Sequence, residues 1–84
     1  MIVRAAIIGH DGEVYTLPQP KRHHDIIGYM VNALNHPAPI VGEQGFWDDE
    51  LGFLARPQAY HRAIDLKQVE KTNTPGLLFS EDLW

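Results

Sequence analysis

The 84-residue chain has 44% hydrophobic and 21% charged residues, ordinary values for a folded domain that exclude a disordered tail protein. Its formal charge of −4 opposes binding along a nucleic-acid duplex, which depends on counterion release by many Lys and Arg side chains. With no cysteine it has neither a disulfide staple nor a zinc-type spacing, and a chain this short buries only about 60–65% of its unfolded surface, so the missing stabilisation is expected from self-association.

The run Met1–Ile8 is apolar but far too short to span a membrane, and it lacks the basic start and cleavage site of a signal peptide. A soluble, intracellular protein without membrane partners is therefore expected. Ile2–Ile8 and Val14–Leu17 read as a β-hairpin, with Asp11-Gly12 supplying the positive φ of its turn. Pro18 and Pro20 cannot donate to a ladder, so the chain leaves the sheet there.

From Asp25 to about Leu34, Ile26, Ile27, Met30, Ala33 and Leu34 form one apolar helical stripe. Gly28 weakens that helix, and a close backbone approach is the expected reason for it. Gly42–Trp47 is expected as a loop or short strand whose glycines permit sharp turns, and Asp48-Asp49-Glu50 as a solvated acidic turn. A second helix is predicted from Arg56-Pro57 to about Gln68, with Ala59, Tyr60, Ala63, Ile64 and Leu66 along one face. Leu77–Ser80 reads as a last short strand returning to the sheet. The fold class is α+β: a small antiparallel sheet with an N-terminal hairpin and two helices, oligomeric, as one domain over residues 1–84.

Pro20-Lys21-Arg22-His23-His24-Asp25 places four nitrogen-bearing side chains where the first helix begins. Unpaired backbone N–H groups and the positive end of the helix dipole make such a position a seat for an anion, and Arg22 adds a bidentate fork. A solvated helix start with Asp25 as a first-turn acid explains the same residues. Adjacent histidines diverge, and none of His10, His36 or His61 lies at a spacing that demands convergence with them, so no metal site is expected. No nucleophile motif occurs, since there is no cysteine and Ser80 lacks an elbow sequence. Phe46 and Trp47 suit either stacking on a purine base or the core.

Three segments in order, Arg22-His23-His24-Asp25-Ile26-Ile27, Gly42-Glu43-Gln44-Gly45-Phe46 and Leu78-Phe79-Ser80-Glu81-Asp82-Leu83-Trp84, give the chain a resemblance to the phage anti-Thoeris sponge family. That resemblance implies a protein of the infected bacterial cytoplasm that binds and sequesters cyclic ADP-ribose isomers, and cyclic oligonucleotides at separate sites, with no cofactor and no catalytic residue. It further implies Arg22 as a phosphate contact and Phe46 as a base-stacking platform. His23 and His24 fall beside Arg22 as pocket groups, and Arg56 is retained where relatives carry an Arg, although Ala55 replaces the polar residue before it. Lys71 and Asn73 fall where relatives carry basic or polar contacts. Nanomolar capture, about 12 kcal/mol, is hard for a small monomer, so a homo-oligomer, a dimer or a trimer of dimers, is expected. The alternatives are a small hydrolase using His23, His24 and Asp25, or a protein-binding inhibitor module.

Overall fold

The computed structural model describes residues 1–84. Four antiparallel strands, β1 (Ile2–Ile8), β2 (Val14–Thr16), β3 (Gln44–Asp48) and β4 (Gly52–Ala55), lie in the order β2-β1-β3-β4. Two helices, α1 (His23–Asn32) and α2 (Arg56–Asp65), complete the α+β architecture expected from the sequence. The hairpin turn forms as the Asp-Gly pair requires: Gly12 has φ of 81°, and the Asp11 carboxylate accepts the Glu13 N–H at 3.1 Å.

One face of the sheet carries the core. Ala5 and Ile7 of β1 and Phe46 of β3 pack with Ile26 and Met30 of α1, Ala59 and Ala63 of α2, and Leu78, all fully buried. Period two in the strands and the i, i+4 spacing in each helix bring these side chains to one layer. The opposite face has no covering layer, and there Val14 and Trp47 are exposed.

Several sequence expectations are corrected. α1 starts two residues before Asp25 because the Asp25 carboxylate accepts the Arg22 N–H at 2.9 Å, which makes Arg22 the N-cap. Ala33 and Leu34 lie past its end and are exposed. Gly28 has open space where a Cβ would stand, so no close approach explains it. Gly42 and Gly45, by contrast, are required by packing rather than by turning. A Cβ on Gly45 would lie 2.2 Å from the Leu54 carbonyl oxygen, and one on Gly42 would lie 1.9 Å from that of Ile8.

Asp48 is not part of a solvated turn. It ends β3 and is fully buried, and Gly52–Ala55 continues into a fourth strand that the sequence reading left out. α2 ends at Asp65, and Lys67 just beyond it has φ of 57°, so the helix does not reach Gln68. Leu77–Ser80 does not join the sheet: an isolated bridge pairs Thr74 with Leu77, and a single 3-10 turn spans Ser80–Asp82.

Candidate ligand-binding site

A cleft of about 370 Å³ lies at the N-terminus of α1, where the three sequence segments singled out above converge. The segment Leu78–Trp84 crosses that end of the helix. Trp84 donates its indole N–H to the Lys21 carbonyl at 3.1 Å, and Arg22 donates from Nη2 to the Trp84 carbonyl oxygen. Residues 62 apart in sequence are thereby held side by side.

Arg56 forms a second wall. It opens α2 directly after β4, and its Nη1 donates to the Leu78 carbonyl while Nη2 donates to Gln44 Oε1, both at 2.8 Å. The guanidinium lies over the Phe79 ring, its Cζ 4.2 Å from the centroid. Burial pulls the Arg56 pKa down, and the nearby Glu81 and Asp82 charges act in the opposite direction. Arg56 stays protonated at any ordinary pH.

His23 is the first residue of α1 and is buried. Its Nε2 donates to the Gly45 carbonyl at 2.7 Å, and its ring meets Phe46 edge-on with centroids 5.2 Å apart. Burial lowers its pKa from 6.5, only partly offset by the Gly45 hydrogen bond, and the Arg56 charge lowers it further. Neutral imidazole is therefore the working form near pH 7. His24 stands at the rim with its side chain 78% exposed, 3.5 Å from the Asp25 carboxylate. The Arg22 backbone N–H holds the Asp25 pKa down, with smaller help from the His24, Lys21 and Arg22 charges.

The decisive electrostatic feature is what the two arginines lack. Arg62, outside the cleft, is bound by Asp48, Nε to Oδ2 at 2.7 Å and Nη2 to Oδ1 at 3.2 Å. Arg56 donates instead to a backbone carbonyl and a side-chain amide oxygen, Arg22 donates to the main-chain oxygen of Trp84, and neither has an Asp or Glu side-chain oxygen within 4.0 Å. Their two positive charges face one concavity beside a helix N-terminus without a direct Asp or Glu ion pair, and Glu81 lines the same concavity.

Arg22, His23, His24 and Arg56 are thus brought together as the sequence suggested. Asn73 is not in this cleft: with Thr74, Phe79 and Glu81 it lines an adjoining depression of about 270 Å³. Lys71 lines neither. Phe46 has to be corrected outright, because a fully buried ring packed between His23 and the core presents no face to a base. Phe79, Gln44 and Glu81 were missed. All three sit inside the segments quoted above, and only the fold reveals that they turn toward the cleft. No three His, Asp or Glu side chains converge as a metal-ligand set, and neither helix is long and apolar enough to cross a membrane.

Residues 1–84, the whole chain, match the family model described as Phage T4 y16D protein. No curated protein and no solved structure matches the chain.

Proposed function

The chain belongs to the phage T4 y16D protein family, and from that premise we propose that it captures an anionic signalling nucleotide of the cyclic ADP-ribose type and holds it uncleaved, denying the signal to a bacterial defence receptor. One observation carries this reading: Arg56 is held in place by neutral oxygens and shares its cleft with Arg22, and neither guanidinium is ion-paired to an Asp or Glu side chain. A pyrophosphate supplies the missing negative charge, with the first-turn N–H groups of α1 as further donors.

Retention without cleavage suits the state of the neighbouring groups. Asp25 is occupied in capping α1, and His23 Nε2 is occupied by Gly45, so neither stands ready as a base. The purine has its platform at Phe79, half-buried under Arg56, instead of at Phe46. A cleft with an exposed rim at His24 binds tightly when a second copy closes it, and the uncovered sheet face offers an apolar surface for such assembly. A homo-oligomer acting in the host cytoplasm, without cofactor, follows as part of the proposal.

The test is to load the protein with a cyclic ADP-ribose isomer, denature it, and chromatograph what is released. Intact ligand in stoichiometric amount supports capture; a new product supports a hydrolase, and no retained ligand overturns the reading. Arg22→Ala should weaken the loading by tenfold or more, as expected for losing a charge-assisted contact to phosphate.

A further inference from the structure

Glu81 stands out because its neighbour does all of the local structural work. Asp82 Oδ2 accepts the Phe79 N–H at 2.9 Å and Oδ1 accepts the Asn73 N–H at 3.0 Å, which closes the 3-10 turn and ties down the preceding loop. Glu81, one residue earlier, accepts no side-chain or backbone hydrogen bond, and no cationic nitrogen lies within 4.0 Å of its carboxylate. Yet it lines both the arginine cleft and the adjoining depression at Asn73, and with Phe79 it is shared by the two.

A carboxylate here opposes a purely anionic ligand. At the margin of a site built from Arg22 and Arg56, it repels a bare phosphate or pyrophosphate and weakens its capture. It becomes favourable only for a ligand that brings hydroxyl donors alongside its phosphates. An ionised carboxylate is an acceptor at both oxygens, the geometry that takes two adjacent hydroxyls of a ribose, as acidic residues do in dinucleotide-binding folds. Asn73 and Thr74 line the same depression, polar residues of the kind that contact a sugar.

We propose that Glu81 is the specificity-determining group of this site: it selects a phosphate ligand bearing a ribose-type vicinal diol and discriminates against simple polyanions. The inference rests on the cleft being the ligand site. In it, the phosphates lie against Arg22 and Arg56, and the sugar passes over Glu81 into the depression at Asn73 and Thr74.

Titration calorimetry on the wild-type chain and Glu81→Gln, with glycocyclic ADP-ribose and with inorganic pyrophosphate as separate probes, tests this. Glu81 is exposed, so the substitution should leave the fold intact, and circular dichroism checks that it does. The expected result is opposite signs: glycocyclic ADP-ribose, which retains a free diol, binds the variant at least tenfold more weakly, while pyrophosphate binds it severalfold more tightly. Tightening of both probes would mean that Glu81 only repels. Equal weakening of both would mean that it only shapes the cleft, and no change in either would mean that it does not touch the ligand; each of these three overturns the proposal while leaving the arginine site standing. A wild-type chain that binds neither probe overturns the site itself, and this inference with it.

Discussion

His23 and Gly45 are joined by a 2.7 Å hydrogen bond that ties the first turn of α1 to the central strand β3. Gly45 itself has no room for a side chain, since a Cβ there would meet the Leu54 carbonyl oxygen and the Phe53 ring. The hydrogen bond anchors the α1 N-terminus between Arg22 and His24.

The burial of His23 should give the protein a pH dependence above the acid range. The folded-state pKa of His23 lies below its unfolded value of 6.5, chiefly through burial. Between the two values the unfolded chain binds more protons, so unfolding free energy rises with pH there and falls on acidification from about pH 7 toward 5. His23→Gln, which keeps an N–H donor near the Nε2 position but cannot titrate, should remove this share of the slope. Urea melts at pH 7.5, 6.5 and 5.5 on both proteins measure it; identical slopes would disprove the assignment.

A second acid-dependent loss belongs to Asp48. Burial pushes its carboxyl pKa up, but the Arg62 guanidinium and the Glu50 and Leu51 backbone N–H groups outweigh that and hold it well below the ordinary 3.8. Its contribution is complete above the unfolded pKa and disappears as pH falls below about 4 toward the depressed folded value. Arg62→Met leaves the buried carboxylate with only the Met1 ammonium, 3.6 Å away, as cationic partner and should lower the urea midpoint at pH 7 clearly. Asp48→Asn should lower it too, while flattening the loss between about pH 4 and 2.

Two glycines should respond in opposite directions. At Gly28 a methyl group enters open space inside a helix, so Gly28→Ala should stabilise the fold by about 0.5–1 kcal/mol. At Gly45 the same methyl meets the Leu54 carbonyl oxygen and the Phe53 ring, and Gly45→Ala should destabilise by about 1–3 kcal/mol. Thermal melts of the pair decide both signs in one experiment.

The proposed assembly is tested at Trp47, 38% exposed on the uncovered face of the sheet. Light scattering behind gel filtration should give a multiple of the 9.5 kDa chain mass for the wild type and a smaller one for Trp47→Lys, with the fold retained. A monomeric wild type in dilute buffer would remove the oligomer from the proposal.

Local rules were enough for the local elements. The apolar run Ile2–Ile8, the Asp11-Gly12 turn, the stripe at Ile26 and Met30 and the small-residue face at Ala59 and Ala63 each arise from neighbours within a few positions, and each is legible. The same reasoning located the basic cluster at Arg22, because a helix start announces itself in its own sequence. It failed where a residue's environment comes from elsewhere in the chain. Asp48 reads as a surface acid until Arg62 arrives from α2, and Phe46 suits either a stacking platform or the core until the fold buries it beside His23.

The sequence by itself determined the N-terminal hairpin, the two helices to within a few residues, the sign of the charge at the α1 N-terminus and the three segments that meet at the cleft. Only the tertiary structure decided what those charges face. Whether an arginine is ion-paired depends on which oxygens reach it: Asp48 supplies them to Arg62, whereas Arg56 meets the Leu78 carbonyl and the Gln44 amide. Long-range pairing of this kind is set by how the sheet and helices pack, and no local pattern encodes it.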